Sequence, residues 1–111
     1  MNSTAKKSQT QSLQLAAKFH QKLAAIFGEK IRVILYGSQA RGEALEDSDI
    51  DVLVVLPDLD SATLDIALDA AWEIGFEAGK VLSIIPATNE EMENLSISPF
   101  FQAVHREGIP V

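Results

Sequence analysis

Residues 35–51 read LYGSQARGEALEDSDID. An apolar run halts at Gly37-Ser38, the chain turns through polar residues, and a second apolar run begins with Asp49 and Asp51 two positions apart. On a β-strand, residues i and i+2 share a face, with Cα atoms about 6.5–7 Å apart. Asp49 and Asp51 then project side by side, and Ile50 and Val52 point into the core. Like charges so placed repel unless a cation lies between them. Hard oxygen ligands of this kind suit Mg²⁺, which takes one or two carboxylates together with substrate phosphate oxygens. Taken alone, the pair fits better a strand edge whose carboxylates face water. Gly37 lets a ligand approach the backbone because no Cβ intervenes. Ser38 adds a hydroxyl donor, and the N–H groups of the turn favour an anion. The same two residues also fit an ordinary strand-to-helix turn. Arg41 either contacts phosphates or pins the loop by an ion pair, and Gly42 serves backbone geometry.

Outward from this stretch, hydrophobic period assigns the other elements. Ser8-Gln9-Thr10-Gln11 has capping-box spacing, and Leu15, Phe19, Leu23 and Ile26 then recur as a helical stripe ending at Gly28. Residues 1–7 are expected to be disordered. Residues 31–36 (IRVILY) predict a strand, 39–43 a short helical turn, and the acidic residues up to Ser48 a loop. A second strand covers 49–56 (DIDVLVVL), closed by Pro57. Residues 61–78 return to helical period, with Leu64, Ala67, Leu68, Ala71 and Ala78 on one face and Gly79 as the stop. Residues 81–85 (VLSII) predict a third strand ended by Pro86, and Thr88 opens a short helix. Ser98-Pro99 starts a last helix over 100–107, stopped by Gly108. The order predicts one α/β domain of the α+β type over residues 1–111, a small mixed sheet of at least three strands covered by helices.

Composition narrows the function classes. Cysteine is absent, so disulfides and thiolate metal sites are excluded. The N-terminal MNSTAKKSQTQS lacks the apolar segment of a signal peptide, and no apolar run reaches membrane-spanning length; a cytoplasmic protein is the expectation. Sixteen acids against nine bases give a net charge of −7. That argues against a broad nucleic-acid-binding surface, which needs an excess of Lys and Arg. A protein or a metal-bound nucleotide is the better partner. Asp65, Asp69, Glu73 and Glu77 fall at i+4 intervals down the long helix, as a solvated face or a dock for a basic partner. His20 and His105 have no metal-ligand spacing and read as structural or surface residues.

Gly37-Ser38-Gln39-Ala40-Arg41-Gly42 followed by Ser48-Asp49-Ile50-Asp51 resembles the signature of the minimal nucleotidyltransferase (MNT) domain of the DNA polymerase beta superfamily. The motif covers about fifteen residues, and the helix and strand order of nearly the whole chain agrees with that polymerase beta palm-like fold. The resemblance implies a nucleoside triphosphate, ATP by preference, seated against Gly37 and Ser38, with Arg41 supporting. It implies Mg²⁺ held by Asp49 and Asp51, and attack of a hydroxyl on the α-phosphorus with loss of pyrophosphate. It also implies a third carboxylate in the middle of the following strand, where this chain has Ser83. A serine is a poor Mg²⁺ ligand and no base near neutral pH. The resemblance therefore leaves two readings: a transferase of AMP onto a hydroxyl acceptor, or a binding module acting as antitoxin to a HEPN-domain toxin. A protein partner fits both, and a homo-oligomer is compatible with either.

Overall fold

The computed structural model describes residues 3–44, 48–94 and 98–111. The expected disorder of residues 1 and 2 and the expected loop at 45–47 lie outside them. The first helix, α1 (Ser3–Phe27), starts before the capping-box spacing at Ser8. Residues 3–7, expected to be disordered, therefore continue the helix. The chain then forms β1 (Arg32–Tyr36), α2 (Gly37–Ala40), β2 (Ile50–Val55), α3 (Ser61–Ala78), β3 (Leu82–Ala87), α4 (Asn89–Asn94), α5 (Pro99–Glu107) and β4 (Ile109–Pro110).

The four strands make one mixed sheet in the order β3-β2-β1-β4. The β1 strand runs antiparallel to β2 and β4, and β2 runs parallel to β3. A parallel neighbour needs a long crossover, and α3 provides it. Beyond Asp51 the second strand is buried on both faces, which is why residues 52–56 read as a continuous apolar run. Val33, Leu35, Ile50, Val52 and Val54 meet Phe19 and Leu23 of α1 and Ala67 and Ile74 of α3. Ile34, Leu53 and Val55 meet Val104 and Phe101 of α5 and Met92 of α4. Helices thus cover both faces. Among the described residues, no helix is long and apolar enough to cross a membrane.

Three expectations about packing change. Ile26, assigned to the buried stripe of α1, is exposed, and Leu68, assigned to the buried face of α3, is exposed as well. The α3 face that packs is Thr63, Ala67, Ala70, Ala71, Ile74 and Gly75. These mostly small side chains let the helix lie close to its neighbours. Strand β3 runs through Pro86 to Ala87 instead of stopping before it. It is an edge strand, where proline is tolerated if its missing N–H faces away from the ladder.

Side-chain caps open α3 and α4, whereas Ser98 precedes Pro99 at the start of α5 without a side-chain cap bond among the described residues. Asp60 accepts the Thr63 N–H at 2.8 Å to open α3 as its N-cap. Thr88 and Glu91 form a reciprocal pair at α4: the Thr88 N–H donates to Glu91 Oε1 and the Glu91 N–H to Thr88 Oγ1, each at 3.2 Å. Of the acidic column on α3, Glu73 pairs with Lys22 of α1 and Glu77 lies 4.0 Å from Lys18. Exposed pairs of this kind contribute about 0–1 kcal/mol. His20 Nδ1 lies 2.6 Å from the Val111 carbonyl oxygen, in keeping with a structural role.

Gly75 marks the closest approach between α3 and β3. A Cβ there would lie 2.6 Å from the Lys80 carbonyl oxygen and 3.3 Å from the Leu82 nitrogen, both backbone atoms that cannot rotate aside. Overpacking of this kind costs about 1–3 kcal/mol, which outweighs the roughly 1 kcal/mol that alanine gains over glycine in a helix. Gly75→Ala is expected to lower the melting temperature by several degrees, read by circular dichroism. An unchanged or higher value would show that the α3–β3 junction has room to relax.

Candidate functional site

The site assembles where β1 ends and β2 begins. Tyr36, Asp51 and Ser83 lie in one row across three strands: Tyr36 pairs with Asp51 in the antiparallel ladder, and Asp51 with Ser83 in the parallel one. Residues in one row share a face. That face is the one covered by α5, because Leu53 and Val55 follow Asp51 at period two into the cluster around Val104. Ser83 thus stands on the face of Asp51, while Leu82 and Ile84 pack into the cluster on the other side of the sheet.

The chain passes from β1 into α2 through Gly37, with φ +73°. A Cβ at this position would lie 2.7 Å from Asp51 Oδ2. The Gly37 backbone and the Asp51 carboxylate therefore adjoin, and any side chain at 37 would be both strained and in collision. Ser38 follows, half-buried. First-turn N–H groups have no acceptor within their own helix. The carbonyls of Gly37, Ser38 and Gln39 receive the N–H groups of Arg41 at 3.2 Å, Glu43 at 2.9 Å and Gly42 at 3.2 Å, which fixes the turn.

Polar contacts from α1 hold α2 in place. Ser8 Oγ donates to Gln39 Oε1 at 3.1 Å, and Gln9 Nε2 donates to the Ala40 carbonyl at 3.0 Å. Ser12 Oγ bonds back to the Ser8 carbonyl at 2.8 Å. Gln39 is fully buried. In the sequence it occupies the unspecified position of Gly-Ser-x-Ala-Arg-Gly, and nothing there marks it as a core residue.

Asp49 lies one residue before β2 and is exposed, so strand alternation does not fix its direction. Its charge nevertheless acts on Asp51. Burial first, and repulsion from Asp49 second, hold the Asp51 carboxyl above the ordinary carboxylate range. Burial and then the Asp51 charge push the Tyr36 phenol up to about 12, so it keeps its proton at neutral pH. Phe100 meets the Tyr36 ring edge-on at 5.5 Å. Tyr36 could not be placed from sequence, because its position beside Asp51 depends on the strand register. Arg41 Nε donates to Glu43 Oε2 at 3.0 Å and Nη1 to Glu107 Oε2 at 3.5 Å. These contacts describe the loop pin, tying the turn to α5.

A cleft of 450 Å³ opens beside Asp49, lined by Gln11, Ser48, Gly79, Lys80 and Val81 among others. Small-molecule sites are commonly about 300–1,000 Å³. Two neighbouring carboxylates, one of them partly desolvated, match the oxygen donors that a divalent cation takes. Among the described residues, no group of three or more His, Cys, Asp or Glu side chains is placed to hold a metal. The third position of the row is a hydroxyl, Ser83.

The nucleotidyltransferase domain family model matches residues 16–103. Two proteins of Methanocaldococcus jannaschii, each described as a candidate protein adenylyltransferase, are similar. One is 37% identical over 78 residues, covering 69% of this chain and 73% of that protein. The other is 35% identical over 86 residues, covering 74% and 58%. A bifunctional uridylyltransferase/uridylyl-removing enzyme of Burkholderia orbicola is 34% identical over 65 residues, covering 55% of this chain and 8% of that enzyme. The chain thus spans a small part of the uridylyltransferase and little over half of the second archaeal protein. The crystal structure of a candidate nucleotidyltransferase from Sulfolobus solfataricus superposes with a TM-score of 0.65 at 21% identity, covering 99% of this chain and 87% of that one. That likeness is one of fold.

Proposed function

This chain belongs to the nucleotidyltransferase domain family, and we propose that it binds Mg²⁺-ATP between Gly37-Ser38 and Asp49/Asp51 and transfers AMP to a hydroxyl acceptor. The observation that carries this reading is that the Asp51 carboxylate lies against the Gly37 turn, so close that a Cβ there would meet Asp51 Oδ2 at 2.7 Å. A phosphate seated on the turn lies next to the carboxylates there. The preference for ATP draws on the two similar archaeal proteins described as candidate adenylyltransferases.

The residues divide the work. Gly37 and Ser38 supply backbone N–H groups and a hydroxyl for the phosphates. Asp49 and Asp51 would hold Mg²⁺, which when bound neutralises the phosphate charge and polarises the α-phosphoryl group. Tyr36, still protonated, packs beside Asp51, and Arg41 keeps the turn attached to α5. In the transfer, the acceptor oxygen bonds to the α-phosphorus, the bond to the β-phosphate bridging oxygen breaks, and pyrophosphate departs. The acceptor proton passes to solvent, since Ser83 is no base at neutral pH.

Ser83 also favours a second reading. With a hydroxyl opposite Asp51, the site keeps the ligands for binding but lacks the acid that would activate an acceptor. On that reading the chain is a binding module, the antitoxin of a HEPN-domain toxin. Label transfer from α-labelled ATP to that partner separates the two, because a module that only binds neutralises it without labelling.

Calorimetric titration tests the site itself. ATP should bind at least about tenfold more tightly with Mg²⁺ than with a chelator present, and Asp49→Ala or Asp51→Ala should remove the difference. Equal affinity in both conditions would disprove the metal assignment. UTP in the same titration tests the base preference.

A further inference from the structure

The outer face of α3 repeats one pattern three times. Leu68, Trp72 and Phe76 stand at i, i+4 and i+8 and are 53%, 67% and 70% exposed. Trp72 and Phe76 stack with centroids 4.9 Å apart and planes at 13°. Three positions before each stands an acid: Asp65, Asp69 and Glu73. Residues three apart are neighbours on a helix surface, so an acidic column runs alongside the apolar one. A groove of 540 Å³ lies beside them, lined also by Asp69, Lys80 and Val81, and by Leu82 where the edge strand β3 begins.

Large apolar side chains contiguous on a surface mark an interaction site, and exposed tryptophan is the residue type most enriched at binding hot spots. Nothing in the folding of this chain accounts for them: α3 packs through its opposite, small-residue face. The acidic column of α3 that flanks the aromatic pair selects the occupant. The α3 helix has four acids and no base. Glu73 is drawn to Lys22 on α1, whereas Asp65 and Asp69 are exposed and show no ion pair among the described residues. A second copy would present the same acidic helix on a chain of net charge −7, and like charges facing each other oppose association.

We propose that this face docks a segment of a partner protein whose apolar anchor seats on Trp72 and Phe76, with lysine or arginine side chains meeting Asp65 and Asp69. The inference rests on surface geometry and charge, and it holds whether or not the chain transfers nucleotides.

Trp72 is the sole tryptophan, so its emission reads occupancy of the groove directly. The probes are a short amphipathic helical peptide with a leucine/phenylalanine face flanked by lysines, and its counterpart with every lysine replaced by glutamate. The lysine peptide should shift the emission to the blue, saturably, and its affinity should fall as salt rises. Asp65→Lys combined with Asp69→Lys should reverse the preference between the peptides, each changing by about tenfold or more. Phe76→Ser, at an exposed position, should weaken the lysine peptide while far-ultraviolet dichroism stays unchanged. Equal binding of both peptides, or of neither, overturns the proposal. So does a blue shift that grows with protein concentration alone and coincides with a dimer in sedimentation, or one produced only by lipid vesicles.

Discussion

An Asp51→Asn variant is expected to lose nucleotidyl transfer by at least about a hundredfold and yet to melt at a higher temperature than the parent when no divalent metal is present. The loss follows from removing a charge that acts on the reacting phosphate through its bound cation, and contacts of that kind typically contribute about 10²–10³ in rate. The gain follows from linkage. Burial and Asp49 raise the carboxyl pKa in the folded protein above its unfolded value. The folded state therefore holds this proton more tightly than the unfolded state does. Stability contributed by the protonated form is lost as pH rises through the raised pKa, and the full penalty is present above it. Asparagine keeps the shape and removes the charge. Thermal melts across pH, with and without Mg²⁺, check both halves: the parent should gain stability from Mg²⁺, and the variant should gain none. A variant that melts lower than the metal-free parent at neutral pH would mean that Asp51 is held by favourable contacts, contrary to the raised pKa.

Ser83→Asp carries the second large effect, in the opposite direction. Ser83 is the register partner of Asp51 on the neighbouring strand, and adjacent strands lie about 4.7–4.9 Å apart. A carboxylate there would add an oxygen ligand and a potential base beside Asp51. Transfer should rise by about a hundredfold, with little change in ATP affinity. The same substitution places like charges side by side, which destabilises a sheet, so the metal-free variant should melt lower and Mg²⁺ should restore it. Following label from α-labelled ATP in the parent, in Ser83→Asp and in Ser83→Asp/Asp51→Asn separates a gain at this site from a contaminating activity. A parent already as fast as the variant would show that a partner or another residue supplies the missing acid.

The order of elements was legible because each has a period. Residues 61–78 were bounded correctly from apolar spacing and Gly79, whereas the helical turn expected over 39–43 is α2 at Gly37–Ala40 and the strand expected over 49–56 spans Ile50–Val55, leaving Asp49 outside it. What escaped has no period. Residues 3–7 extend α1, whose polar Ser8 and Gln9 hold α2 through hydrogen bonds while Ser12 bonds back to Ser8, and such contacts leave no hydrophobic stripe. Leu68 was placed on the packed face because it is apolar, yet α3 packs mostly through small side chains with Ile74 among them, while Leu68, Trp72 and Phe76 stand on the outer surface. Tyr36 joined the site only once strand register was known, and the two-residue β4 is too short for any pattern to declare it.

Both outer edges of the sheet end in a proline position: Pro86 in β3 and Pro110 in β4. The Ile50 N–H bonds to Val81 O and the Leu56 N–H to Ala87 O, so the odd-numbered residues of β3 face β2 and the Pro86 nitrogen faces outward. On the other side the Val111 N–H bonds to Val33 O, which turns the Pro110 nitrogen outward as well. A strand arriving at either edge meets a missing donor where its next hydrogen bond should form. Such gaps are among the devices by which edge strands resist runaway pairing. The sheet is thereby closed to growth into fibrils or swapped strands without being closed into a barrel, and a concentrated solution of this acidic protein should stay free of cross-β aggregates.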